Sequence, residues 1–455
     1  MSSIKDFEMW NEKIEKKATQ YGLNCYAQEF EIVDYNDMIG YESYVGMPSR
    51  YPHWSFGKAY EKNKTLYSLS FTGLPYEMVI NSNPCLAYLM KDNTLLLQIL
   101  TMAHVYGHND FFKNNRLFKE GTNADYTLEM FSLDAKIIRE YIDDPSIGYE
   151  NVERILDAAH AIRYQINRTL GLKKLSCEEI KNNIIDDYRN KIQNRNLINS
   201  NDKIEFPDIE KIPIEPEDDV MGFIIKYGKL RDWEKTILKI VKRETEYFIP
   251  QIETKIMNEG WASYTHYNIL KQLDLDQGLY LEFIKRHNDV IAPLIGGMNP
   301  YYVGFKIFED LDKKYGKEKI FEVREVERDS SFLRRYLTED LCRKLNLFEY
   351  NIRTFDTVID EISDKDGWKK IRDKLSLSVG MGSIPYVRVI DLNKKDYTLT
   401  LENVYDGRSL DITYAKHTLM YIEELWGHKI RLVTKNSDNE EVTLICDEEK
   451  NIEIK

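Results

Sequence analysis

The sequence predicts an α+β protein: a mostly α-helical N-terminal domain with a small sheet over residues 1–346, and a small C-terminal α+β domain over 347–455. Three observations point there. Most of the stretch from about residue 95 to 346 repeats apolar residues at helical spacing. A few short runs before it alternate as strands do, and beyond about residue 347 alternating runs such as YVRVIDL, YTLTLEN, IRLVTK and VTLIC dominate, with helices expected near 367–377 and 414–426. At 455 residues the chain also exceeds the roughly 250–300 residues at which single cores stop growing, so more than one domain is expected.

Taken in order, residues 4–22 set Phe7, Trp10, Ile14, Ala18 and Tyr21 on one helical stripe, which makes a docking face rather than a catalytic one. A short strand is expected in EFEIVDYNDM. The next segment, YVGMPSRYPHWSFGKAYEKN, crowds prolines, glycines and aromatic rings around Arg50, His53 and Lys58 without a clean period. It reads as a shaped surface loop, either an Ω-like loop with structural aromatics or the wall of a ligand pocket. Thr65–Phe71 and Tyr76–Ser82 are expected as two strands joined at Gly73-Leu74-Pro75, and Pro84 suits the first position of a helix.

Leu95–Asn115 is then predicted as one helix. Further helices are expected over Ala124–Ile142, Tyr149–Leu170 and Glu178–Asn194; His160 in the second reads as structural. Residues from about 195 to 220, with Pro207, Pro213 and Pro216 among acidic and polar residues, read as a charged excursion. From Arg231 one helix runs to Pro250 and a second follows in QIETKIMNEGWASYTHYNILKQL. Helices are expected again over 276–294, which carries His287, over 300–315 and over 329–346.

The composition excludes several function classes. A net charge of −13 argues against a general nucleic-acid or anionic-membrane binder. Five scattered cysteines, Cys25, Cys85, Cys177, Cys342 and Cys446, contain no C-x-x-C pair and read as reduced, mostly buried thiols of a cytoplasmic protein. No stretch approaches the ~20 apolar residues of a membrane span. There is no P-loop and no G-x-S-x-G, and the G-M-G-S run at 380–383 leads into a strand, so the dinucleotide fingerprint fails.

The chemistry concentrates at two helices. His104 and His108, four residues apart, project from one helix face together with Leu97, Leu100, Thr101 and Phe111, a face that reads as buried. Two buried imidazoles need partners for their ring nitrogens; a divalent cation satisfies two at once, and carbonyls or carboxylates satisfy core histidines one at a time. On the second helix Ile252, Ile256, Glu259, Ser263, His266 and Leu270 share a stripe, which turns Glu259 toward the interior, where a carboxylate is costly unless paired or bound to a metal. Sharing an ion requires the two helices to cross at about 8–10 Å between axes. The segment from Tyr51 to Lys58, with His53, Trp54 and Lys58, is the candidate substrate-binding wall of that cavity, since rings and a cation suit a polar ligand with an acidic group; packing alone explains it equally.

The runs NDMIGYESYVGMPSRYPHWSFGKAYEKNK, YEMVINSNPCLAYLM, AHVYGHNDFFKNN, MNEGWASYTHYNIL and NPYYVGFKIFEDL together resemble the stage V sporulation protein R (SpoVR-like) family, in the same order over nearly the whole chain, including ELWGHKIRL near the C-terminus. The resemblance implies a cytoplasmic bacterial protein needed in spore formers for the cortex peptidoglycan, and a partnership with a serine protein kinase. AHVYGH and NEGWA also resemble pieces of gluzincin-type zinc metallopeptidases, which implies a gluzincin-like helix pair with His104, His108 and Glu259 as ligands of a divalent transition metal, zinc first. One departure matters: where those enzymes carry the water-activating glutamate, this chain has Val105. Glu77, Asp110 and His266 are the candidate replacements for the catalytic base. Two functions follow, a metal-dependent hydrolase of a peptide, amide or cell-wall precursor, or a non-catalytic degenerate zincin that binds a ligand or the kinase as a scaffold. The ligand set alone does not separate zinc from iron or manganese.

Overall fold

Helix formation at the N-terminus follows the apolar stripe: Ile4–Tyr21 is α-helical and buries Trp10, Ile14 and Ala18, with Phe7 and Tyr21 packed at the edge of the same core. The computed structural model describes residues 4–68, 77–168, 174–198, 206–294, 297–352 and 357–455. The fold is α+β, and the chain forms two compact units, Met1–Glu140 with Glu246–Ser383 and Tyr141–Thr245 with Ile384–Lys455. The texture change at 347 thus falls inside the first unit, which also contains the hairpin Phe348–Ile352 and Thr357–Ile362 and the helix Gly367–Ser378.

In the first unit a three-stranded sheet has Cys85–Met90 at its centre, parallel to Gln28–Val33 and antiparallel to Glu77–Ile80. Cys85 and Leu89 enter the main core beside the histidine helix, Leu95–Asn114. That core is helical for the rest, drawing on Lys255–Leu270, Pro300–Tyr315, Lys317–Val326 and Asp329–Tyr336.

The second unit holds a five-stranded sheet in which Leu399–Asn403 and Ile430–Lys435 run parallel, joined through the helix Ile412–Trp426. Val387–Leu392, Glu441–Cys446 and Ile452–Ile454 complete it with antiparallel pairings. The alternation read from the sequence is what this half-covered sheet requires: Leu399, Leu401, Ile430 and Leu432 are buried, while Thr400 and Arg431 between them are not.

Several expectations are corrected. The segment at 51–58 is not an Ω-like loop, because Trp54–Ser68 is a helix. His53 starts it, its Nδ1 accepting from the Ser55 N–H at 3.3 Å in the manner of a cap. Thr65–Ser68 belong to that helix and not to a strand; the remainder of the expected strand and the turn at 73–75 lie outside the described residues. Pro84 opens no helix, since CLAYLM is the central strand, and a short continuous apolar run does not separate a buried strand from a buried helix. The Tyr149 helix ends at Ala161, Pro250 lies inside Asp232–Glu253 rather than between helices, and 329–346 divides at Thr338 into two helices. Val220–Tyr227 and Lys317–Val326 are helices the sequence reading lacks. All five cysteines are free thiols, four of them buried or half-buried and Cys177 exposed. Among the described residues no helix is long and apolar enough to cross a membrane.

Candidate metal centre

The histidine helix begins where Thr94 caps it, the hydroxyl accepting from the Leu97 N–H at 3.2 Å. It is buried on every side from Leu96 to Phe112, so its polar residues are displayed to protein rather than to solvent. Gly107 sets how close the next helix comes: a Cβ there would lie 2.4 Å from Thr265 Oγ1 and 2.6 Å from Ala262 Cα. With no side chain at 107, Lys255–Leu270 packs directly against the turn between His104 and His108.

That second helix has no side-chain cap of its own at Thr254. Instead the buried Asp329 carboxylate accepts from the N–H groups of Ile256 and Met257 at 2.8 and 2.9 Å, serving as a cap supplied from 70-odd residues downstream. Burial pushes Asp329 up to about 8, against the two backbone hydrogen bonds. Its opposite flank meets Pro300–Tyr315 at Gly260 and Gly304, where a Cβ on Gly260 would sit 2.4 Å from the Gly304 backbone. The close pair draws in the N-terminus of that third helix, where Asn299 caps by accepting from the Tyr301 N–H at 3.0 Å.

These three helices and the first residue of Glu77–Ile80 converge on one cluster. His104 Nε2 lies 3.7 Å from Glu259 Oε2 and 3.8 Å from Glu77 Oε1, and His108 Nε2 lies 3.5 Å from Glu259 Oε2. Ligand-capable atoms of Glu77, His104 and His108 all fall within 4.8 Å of one another. These separations are too long for good hydrogen bonds and suit atoms gathered around a shared ion. His104 Nε2 and Glu259 Oε2 are buried with no hydrogen-bond partner, an arrangement native proteins rarely leave unfilled.

The surroundings hold the ligand-capable rings in place. His108 Nδ1 is 2.8 Å from Asn258 Oδ1, and His104 Nδ1 is 2.8 Å from His266 Nδ1, leaving the two Nε2 atoms for the cluster. The Tyr301 ring stacks on His104 with centroids 6.0 Å apart, and Glu259, then burial, then Glu77 hold its hydroxyl in the protonated form, well above the usual tyrosine range. Burial, then His104, brings His108 down to about 4, so its imidazole is neutral and fit to ligate. Burial drives Glu77 up to about 6, with Glu259 adding repulsion and His104 opposing. Glu259 is also penalised by burial, yet His104, His108 and Tyr301 outweigh this and leave it below the usual range. Two imidazoles and one carboxylate make a mixed N/O donor set that fits zinc, iron or manganese.

The other residues singled out from the sequence are placed as follows. His266 stands directly behind His104 and touches His287 beyond it, Nε2 to Nδ1 at 2.9 Å. Asp110 is turned away: six residues past His104 is about 240° around the helix, and its carboxylate accepts from Asn24 N–H and Trp261 Nε1–H, with Arg324 3.4 Å away. His53 packs against Trp54 and Phe56, and Lys58 lies 5.6 Å over the Trp54 ring. His160 lies in the helix Tyr149–Ala161. Sequence reasoning did not single out Tyr301, Asn258 or Asp329. The Asn-Pro start of NPYYVGF marks the helix end that carries Tyr301, and Asn258 is the first residue of the NEG triplet.

Comparison with known proteins fits this organisation. Residues 2–384 match the family described as SpoVR like protein, and residues 385–437 match the SpoVR-like C-terminal domain. The chain belongs to the SpoVR family. Its family name associates it with sporulation, and the junction at 384/385 lies one residue from the Ser383/Ile384 division between the compact units. A relative from Escherichia coli (strain K12), described as Uncharacterized protein YcgB, is 33% identical over 476 residues, covering 94% of this chain and 91% of its own. No solved structure matches.

Proposed function

We propose that this SpoVR-family chain is a metal-dependent hydrolase whose centre is His104, His108 and Glu259, with Glu77 as the base that position 105 does not provide. The observation that carries the reading is the convergence of both Nε2 atoms on Glu259 Oε2 at 3.5 and 3.7 Å, with two of these three atoms buried and unpartnered. A divalent ion held there supplies a Lewis acid and an acidified water. Glu77 is the carboxylate beside His104 that comes from outside the two helices, and Tyr301, protonated and stacked on His104, is placed to donate a hydrogen bond to charge developing on a substrate oxygen. The association of the family with sporulation makes a soluble peptide, amide or cell-wall precursor the substrate class, with cortex peptidoglycan as the end product served. The zincin likeness of the helix pair belongs to this proposal.

One observation favours a second reading. Val105, at the position of the usual glutamate, is fully buried in the core and adds nothing to the cluster. A degenerate zincin acting as a scaffold for a serine protein kinase would need no base. The test is hydrolysis of soluble peptidoglycan stem peptides by the full chain. Activity lost on chelation, in folded His104→Ala and in Glu77→Gln with its metal retained supports the hydrolase; a metal-loaded protein that cleaves no peptide or amide, and holds the kinase with or without metal, supports the scaffold.

A further inference from the structure

Behind the cluster three imidazoles form a line. His104 Nδ1 is 2.8 Å from His266 Nδ1, and His266 Nε2 is 2.9 Å from His287 Nδ1. All three rings are buried, and each comes from a different helix: Leu95–Asn114, Lys255–Leu270 and Gln277–Val290. A neutral imidazole carries one N–H and one lone pair, so each contact needs one donor and one acceptor, and the line as a whole has two consistent directions. We propose that His266 and His287 are positioning residues of the metal centre, which hold His104 as its Nδ1–H tautomer so that the Nε2 lone pair faces the ion. This rests on the metal reading above.

The order of hydrogens follows atom by atom. With Nε2 of His104 as a ligand, Nδ1 carries the hydrogen and donates it to His266 Nδ1. His266 then holds its own hydrogen on Nε2 and donates to His287 Nδ1, which leaves His287 as the Nε2–H form. One metal bond therefore sets three tautomers.

Packing anchors the far end. The His287 ring stacks on Tyr267 at 4.6 Å between centroids and is met edge-on by Phe305 at 5.1 Å, so its orientation is fixed by apolar contacts and passed through two hydrogen bonds to the ligand. The other ligand imidazole reaches the same state by a different route. His108 Nδ1 faces the Asn258 carbonyl oxygen, which only accepts, so Nδ1 carries the hydrogen and Nε2 is free. Two unlike partners thus impose one tautomer on both histidines, which is the tautomer an Nε2-bound ion requires.

Nitrogen-15 histidine spectra of the zinc-loaded full chain test this directly. His104 is expected as Nδ1–H with a metal-shifted Nε2, and His266 and His287 as Nε2–H. Zinc bound through His104 with His266 in the Nδ1–H form, or His104 ligating through Nδ1, overturns the proposal and leaves the metal centre standing; zinc that does not reach His104 at all overturns both. Variants add a second readout. His266→Asn keeps an acceptor near the Nδ1 position and is expected to hold zinc within about threefold of the parent, whereas His266→Phe is expected to lose about 10- to 100-fold in affinity. Equal losses in the two folded variants mean that the ring only fills space, which contradicts a positioning role.

Discussion

On one side of the Leu95–Asn114 helix, Asn109, Asp110 and Asn114 are buried and every one of their side-chain polar atoms is engaged. Asn109 bonds Tyr26 through both its amide oxygen and nitrogen, Asp110 takes the Asn24 and Trp261 N–H groups, and Asn114 exchanges hydrogen bonds with Asn24. On the other side His104 is buried and Glu259 half-buried, and the two enclosed atoms His104 Nε2 and Glu259 Oε2 face each other at 3.7 Å without a hydrogen bond. The first face is a polar core that fastens the segment 24–28 to the helix. The second carries the same kinds of group in an arrangement that only a further partner completes. Burial therefore does not distinguish a structural polar cluster from a binding one; the state of its hydrogen bonds does.

The largest expected effect breaks the satisfied face. Asp110→Ala strips Trp261 Nε1 and Asn24 of their acceptor and leaves the Arg324 cation without its carboxylate, and should cost about 3–5 kcal/mol by denaturant unfolding. A loss under about 1 kcal/mol would mean that the face is not the fastening described. Zinc, in contrast, should stabilise through the other face, by about 2.7 kcal/mol at one hundred times its dissociation constant. Thermal shifts should show this gain in the parent and in Asp329→Asn, and not in His108→Ala.

The unsatisfied face depends on how closely the two helices cross. Gly107→Ala drives a methyl into the Ala262 backbone, so the two helices must part; a loss of about 1–3 kcal/mol together with weaker zinc binding is expected. Retention of full affinity would show that the close crossing is not needed to bring Glu259 to the histidines.

Acid separates the groups further. His108 and His287 are held near 4, below the ordinary histidine value near 6.5, by burial first and His104 second. Such depressed values contribute stability that is complete above about 6.5 and lost as pH falls toward 4, on the order of 3 kcal/mol each. Glu77 and Asp110, raised by burial to about 6, act in the opposite sense, adding stability at low pH that is lost as pH rises through about 6. Histidine NMR isolates the first effect: both rings should stay neutral in the metal-free protein at pH 5.5, and a midpoint near 6.5 for either contradicts the burial account. At the small end, Lys58→Ala should change stability by less than about 0.5 kcal/mol and leave metal content unaltered, and a drop in metal content would join the 51–58 segment to the metal centre.

Part of this contrast is already written in the sequence. The i, i+4 histidines follow from helical spacing, and Glu259 with Ser263, His266 and Leu270 keeps that spacing within Lys255–Leu270, although Ile252 of the same expected stripe belongs to the preceding helix. Asp110, one of three candidate bases, lies about 240° around the helix from His104, an angle the spacing already carries. Tyr301 and Asp329 come from helices brought in by the Gly260–Gly304 contact and by capping across the fold, long-range events that no local period encodes. The strand Cys85–Met90 and the helix started by His53 escaped for local reasons, an apolar run without alternation and a cap made by an unusual residue.

Metal content of the purified full chain decides whether His104, His108 and Glu259 hold an ion. Elemental analysis of protein prepared without chelator should find about one equivalent of a transition metal, lost in both His104→Ala and His108→Ala while the fold persists. Protein that carries no metal, and takes up none when zinc, iron or manganese is added, contradicts the account.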